Sequence, residues 1–285
     1  MPIEIRDLCY TYLPGSPFEH KALKGISLTV EDGDYLGLIG HTGSGKSTLL
    51  QIVAGLLKPD SGTVLIDGQD IFAKNADRKW LRRTMGVVFQ YPEHQLFDET
   101  VEKDIAFGPK MTGVPEEEIP ERVREAMELV GLDYDEYAAK SPFELSGGEK
   151  RKAALAGVLA TRPRIMLMDE PIAGLDPLGR ESLMELTVRL NKMGVTIVMI
   201  SHNMDGLAEN AKSIVAMKEG NIMLKGTPKE VFSRHEEIYS SGLGLPEAAR
   251  MVYLMNQKGM DVPQDIIRRD EIKDYILSRF GGAAL

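Results

Sequence analysis

The segment Tyr35-Leu36-Gly37-Leu38-Ile39-Gly40-His41-Thr42-Gly43-Ser44-Gly45-Lys46-Ser47-Thr48 joins an apolar run to a glycine-rich octet and then to a second apolar pattern. The run before Gly40 is short and apolar, as a buried strand is, while Leu49, Leu50, Val53 and Leu56 to Leu57 fall on one helical face. The order is strand, glycine loop, helix. Gly40 to Ser47 matches the pattern glycine, four residues, Gly-Lys-Ser. Glycines let backbone N–H groups turn inward as an anion nest, and the helix adds its positive N-terminus. Lys46 would reach β and γ phosphates and Ser47 would ligate magnesium, so Gly40 through Thr48 are candidate nucleotide-binding residues. A glycine turn without a ligand has no need of this strand–loop–helix setting.

Working outward, Ile3 to Tyr12 and Gly25 to Val30 read as strands before the loop, and Thr63 to Ile66 and Gly86 to Phe89 as strands after it. Between residues 115 and 132, Ile119, Val123, Ala126, Met127 and Val130 are spaced for an amphipathic helix, a helical insertion in a mixed fold. Ile165 to Met168 and Val195 to Ile200 are uninterrupted apolar runs, as strands buried on both faces of a parallel sheet are. Leu178 to Met193 is then the crossover helix, and Ser240 to Pro246 reads as a linker before a last helical segment. The expected class is α/β.

With 285 residues and 43% hydrophobic content the chain can bury one substantial core. A formal net charge of −9 argues against a nucleic-acid partner, which would call for a phosphate-neutralising basic surface. The single cysteine, Cys9, cannot form an internal disulfide and fits a reducing cytosol. No apolar run approaches the ~20 residues of a membrane span, and no basic-then-apolar leader begins the sequence, so the chain is expected to be neither integral nor secreted.

Two further segments carry chemistry. Ile165-Met166-Leu167-Met168-Asp169-Glu170 is a buried strand ending in two carboxylates. Asp169 is placed to hold magnesium through its water shell, and Glu170 to orient or deprotonate an attacking water. Leu145-Ser146-Gly147-Gly148-Glu149-Lys150 opens a helix, and Ser146 with Glu149 has capping-box spacing. Two glycines in a first turn destabilise a helix by roughly 1 kcal/mol each relative to alanine, which points to close approach of another backbone or a phosphate.

In this order and at these spacings, the loop, the Leu-Ser-Gly-Gly-Glu segment and the Met-Asp-Glu-Pro strand end resemble an ATP-binding-cassette ATPase over residues 1 to about 235. The resemblance implies a P-loop NTPase (RecA-like) core with an antiparallel β subdomain, a helical signature subdomain and a short C-terminal helical extension. It implies ATP and Mg2+ as ligands, and a head-to-tail dimer in which Ser146, Gly147, Gly148 and Glu149 of one cassette face the γ phosphate on the loop of the other. By the same resemblance Gln90 senses magnesium and the attacking water, Asp176 lies in the loop crossing the dimer interface, and His202 contacts the γ phosphate. Tyr12 is the favoured adenine-stacking residue, with Tyr10, two residues away on the same strand face, as the alternative. Ile172 stands where the family usually has threonine, away from the reacting atoms.

Gln90 to Phe97, Lys150-Arg151-Lys152 and Ser201 to Asp205 further resemble the ATPases of energy-coupling-factor transporters, importers of vitamins or transition-metal ions. This implies a second ATPase subunit, identical or not, a transmembrane coupling protein, a substrate-binding membrane protein, and a peripheral position on the cytoplasmic face of the cell membrane. It divides the chain into an ATPase domain, 1–238, with its helical subdomain at about 92–162, and a C-terminal extension, 239–285. In that extension Ala248, Met251, Val252 and Met255 form one helical stripe that either pairs two ATPases or packs on its own chain. Chromosome-maintenance ATPases share the signature but separate it from the loop by long coiled coils, whereas only about a hundred residues intervene here without sustained heptads. Sugar-importer ATPases would bring a β-rich C-terminal domain where residues 236–285 read helical.

Overall fold

Apolar residues alternate in the N-terminal strands and run unbroken in the central ones, and two different sheets result. The computed structural model describes residues 3–280. In chain order the elements are β1 (Ile3–Tyr12), β2 (His20–Val30), β3 (Tyr35–Ile39), α1 (Lys46–Val53), β4 (Ser61–Ile66), β5 (Gln69–Asp70), α2 (Arg78–Thr84), β6 (Met85–Val88), α3 (Val101–Thr112), α4 (Ile119–Leu129), α5 (Tyr134–Tyr137) and α6 (Gly147–Leu159). They continue with β7 (Ile165–Asp169), α7 (Pro177–Lys192), β8 (Thr196–Ile200), α8 (Met204–Asn210), β9 (Ser213–Lys218), β10 (Asn221–Gly226), α9 (Pro228–Phe232), α10 (His235–Ser240), α11 (Glu247–Gln257) and α12 (Arg269–Phe280).

The first sheet is antiparallel, in the order β2-β1-β4-β5, with Ile3 opposite both Val30 and Ile66. The second has the order β10-β9-β3-β8-β7-β6 and is parallel from β9 to β6. β3 and β8 are buried at every residue, the condition for a strand covered on both faces. The register, Leu38 beside Ile200 and Asp169 beside Ile200, brings the carboxyl ends of β3, β8 and β7 to one edge, with β6 next in line. Open α/β sheets bind ligands at that edge.

A helical layer formed by α3, α4, α5 and α6 joins the same core through Val101, Ile105, Val123, Met127, Ala153 and Ala156. The C-terminal segment is tied down as well. Ser241, Leu243 and Leu245 are buried, so residues 240–246 are a packed connection rather than a free linker. Two helices follow where one helical segment was expected, and Ala248, Val252, Val262 and Ile272 close a small core of their own. Met251 departs from the expected stripe: Ala248 and Val252 face inward, while Met251 is 45% exposed. Among the described residues no helix is long and apolar enough to cross a membrane.

Candidate active site

The glycine loop leaves the buried end of β3 and enters α1 at Gly45, whose φ of 101° and whose missing Cβ, which would sit 2.6 Å from the Ala22 carbonyl oxygen, exclude other residues. No side chain caps α1, so the N–H groups of its first turn stay open for an anion. Lys46 is buried and donates to the carbonyl oxygens of Gly40, at 2.6 Å, and His41, at 3.0 Å. Burial pushes its pKa down, opposed by the carboxylates of Glu170 and Asp169. The Ser44 hydroxyl is buried without a partner. A buried cation, a buried orphan hydroxyl and uncapped N–H groups in one turn are the complement of a polyphosphate. Ser47 is exposed, and Thr48 shares a 3.2 Å hydrogen bond with the Tyr12 hydroxyl. Tyr12 is 37% exposed above α1, whereas Tyr10 packs on the core of the antiparallel sheet and meets the Tyr12 ring edge-on at 4.8 Å.

Across the edge, β7 ends at Asp169 and the chain turns sharply at Glu170, which adopts φ of 50° while its N–H donates to the Ile200 carbonyl. A left-handed non-glycine residue costs about 1–3 kcal/mol, sustained here by the two flanking strands. The turn aims Glu170 at His202 beyond β8, with Oε1 3.0 Å from Nε2. The Glu170 carboxyl lies above the usual carboxylate range because burial raises it, while His202 and Lys46 pull it down. Gln90 is exposed just past β6. Strand order thus lines up the loop, His202, the Asp169-Glu170 pair and Gln90 side by side. Hydroxyl, amide and carboxylate oxygens at Ser47, Gln90 and Asp169 are the hard donors that magnesium takes. Among the described residues no group of three or more His, Cys, Asp or Glu could hold a metal unaided.

The signature segment sits in the helical layer. Its capping box is formed: Glu149 N–H donates to the Ser146 hydroxyl at 3.3 Å, and Ser146 N–H to the Glu149 carboxylate at 2.7 Å. These bonds, then the Tyr137 hydroxyl donating at 2.8 Å, hold the Glu149 carboxyl down to about 2. Gly147 and Gly148 have no left-handed backbone, and a Cβ at either would point into open space. Nothing among the described residues requires glycine there. Asp176 caps α7 by accepting from Gly179 N–H at 2.9 Å, and it lines a cavity shared with Gly148. Glu93 and Arg151, quoted in the sequence without individual roles, form an ion pair at 3.1 Å. Local patterns give no signal for a pair 58 residues apart.

Fold and loop together define a P-loop ATPase that binds nucleotide. The ABC transporter family matches residues 23–173. The energy-coupling factor transporter ATP-binding protein EcfA2 of Clostridium acetobutylicum is 48% identical over 278 residues, covering 97% of this chain and 97% of that protein. Its namesake in Clostridioides difficile is 47% identical, with 100% of each covered. Of solved structures, cbiO1 from Clostridium perfringens, described as part of the ABC transporter complex cbiONQ, has a TM-score of 0.72 at 38% identity, covering 89% of this chain and 98% of that one. The dimeric ATP-binding cassette MJ0796 in a post-hydrolysis state, bound to ADP and Pi, has a TM-score of 0.70 at 28% identity, covering 79% and 98%. The chain belongs to the ABC transporter family and, within it, to the energy-coupling factor transporter ATP-binding proteins.

Proposed function

We propose that this chain is the ATP-hydrolysing subunit of an energy-coupling-factor importer for a vitamin or transition-metal ion, working on the cytoplasmic face of the membrane as a peripheral protein. One observation carries the chemistry: Lys46, Glu170 and His202 converge at the carboxyl ends of three adjacent strands. Gly40 to Thr48 cradle the phosphates of ATP, and Tyr12, exposed beside Thr48, stacks on adenine. Ser47, Gln90 and Asp169 would hold Mg2+, which when bound neutralises charge on the β and γ phosphates. Glu170 takes the proton of the attacking water as its oxygen bonds to the γ phosphorus and the bond to the bridging oxygen of ADP breaks. His202 orients Glu170 and faces the γ phosphate.

The open surroundings of Gly147 and Gly148 support a head-to-tail pair in which Ser146, Gly147, Gly148 and Glu149 meet the γ phosphate held by the partner ATPase, with Asp176 at the crossing. The ATPase domain spans residues 1–238 and the extension 239–285. The inner face of the extension packs on its own chain through Leu245, Ala249 and Ile267. Exposed Met251, Leu254 and Leu277 suit its outer face to pairing. EcfA2 relatives and the cbiONQ description support a second ATPase, a transmembrane coupling protein and a substrate-binding membrane protein as partners. Affinity purification of the tagged chain from detergent-solubilised native membranes, followed by mass spectrometry, tests this. A second cassette ATPase and a polytopic membrane protein are expected, and recovery of the chain alone from the soluble fraction would remove the transporter from the reading.

A pH effect follows from the Glu170–His202 pair. The imidazole lowers the Glu170 pKa, so His202→Ala moves it further up, and hydrolysis that needs the ionised carboxylate starts at higher pH. The acid limb of kcat/KM is expected to shift upward in the variant. A limb that stays in place or moves down would detach His202 from Glu170.

A further inference from the structure

Among the described residues two Lys or Arg side chains are buried: Lys46 of the loop and Arg151, in the second turn of α6. A guanidinium is removed from water only where it is paired. The Nε of Arg151 donates to Glu93 Oε2 at 3.1 Å, and Nη1 donates to the Ala173 carbonyl oxygen at 2.8 Å. Its guanidinium carbon lies 5.9 Å from the centre of the Tyr91 ring. Glu93 stands three residues after Gln90, in the turn Pro92–Gln95, and Ala173 stands three residues after Glu170. Tyr91, at the entry to that turn, has φ of 57°, and its ring lies against Gly174. One planar fork therefore ties three segments together: the turn behind Gln90, the loop behind Glu170 and the helix that begins at the signature.

Stability alone does not account for this choice, because a buried ion pair adds little over an apolar side chain of the same volume. A fork with fixed donor directions does something a methionine cannot, which is to set the two loops relative to the helix. Nη2 is buried without a partner, so the fork is not fully bonded.

Resting on the ATPase reading above, we infer that Arg151 is a positioning residue that, through Glu93 and Ala173, registers Gln90 and Glu170 against the signature helix, so that a nucleotide arriving at the signature is felt where the water attacks.

The test uses the full-length chain purified with its co-purifying partners, as wild type, Arg151→Met, Glu93→Gln and the double variant. Arg151→Met keeps the volume, and the double variant removes the pair without leaving a buried charge. Each single variant is expected to lower kcat by about tenfold or more while the Kd for ATP stays within about twofold, because the brace acts on alignment rather than docking. The double variant should fall no more than about twofold below the weaker single, since both changes break one bridge. Three results would overturn the brace: wild-type kcat in Arg151→Met, kcat and Kd moving together, or losses that multiply in the double variant. Should Arg151→Met fail to fold, Glu93→Gln carries the same kcat and Kd test by itself. Wild-type protein that neither binds nor hydrolyses ATP would sink the ATPase reading and this inference together, whereas an active wild type with unimpaired variants sinks the brace alone.

Discussion

Replacement of Glu170 by glutamine is expected to slow steady-state ATP hydrolysis by about 10²–10⁴-fold, the range a positioned general base supplies, while ATP still binds. Glutamine preserves shape and one acceptor but takes up no proton. The surroundings single out this carboxylate. It is the one whose side chain is only 16% exposed, held there by a strained turn, with His202 3.0 Å away and its pKa raised by burial, which strengthens it as a base. Asp169, one residue earlier, ends the strand and is the carboxylate proposed for Mg2+. Phosphate release at saturating ATP, beside an ATP titration of the same preparation, separates the two roles. Turnover within about tenfold of wild type would mean that water is activated without Glu170.

What was legible in the sequence depended on how locally each feature is encoded. The loop and its flanking elements were, because the strand, glycines and helix face are contiguous in residues 35–57. The strands Ile165–Asp169 and Thr196–Ile200 announced themselves as apolar runs of strand length. β9 did not, although Ile214, Val215, Ala216 and Met217 are buried and the strand lies directly beside β3. It follows the helix-compatible stretch from Met204, and the polar Lys212-Ser213 and Lys218-Glu219 close round it, so nothing nearby marks it off as a separate strand. α3 was hidden by Gly108 and Pro109, residues that argue against a helix interior. It forms because Thr100 caps its start, Gly113 ends it with φ of 76°, and Val101 and Ile105 are fully buried. Met251 fell off its expected stripe because the packed connection before α11 turns Ala249 into the core in its place.

The site shows the same division. Residues carried by motifs arrive at one sheet edge because strand order is fixed by the parallel register, which no short motif states. Tyr10 and Tyr12 are equivalent by alternation, and what separates them is tertiary: one packs on the sheet core while the other reaches Thr48. The Glu93–Arg151 bond is tertiary altogether.

Lys46→Ala is expected to weaken ATP binding by about 10–150-fold, corresponding to the 1.5–3 kcal/mol of one charge-assisted hydrogen bond. The ammonium is already desolvated in the free chain, and its two partners there are carbonyl oxygens of the loop itself. Exchanging those neutral acceptors for phosphate oxygens converts an expense of folding into binding energy, which is why burial in the free chain is informative. The same bookkeeping fixes the sign for stability. Removing a buried cation whose pKa burial has lowered relieves desolvation, so the melting temperature should hold or rise while affinity falls. Titration with ATP alongside thermal melting distinguishes this from general damage. Loss of affinity together with a large drop in melting temperature would make Lys46 a structural post of the loop, and undiminished affinity would place the triphosphate elsewhere.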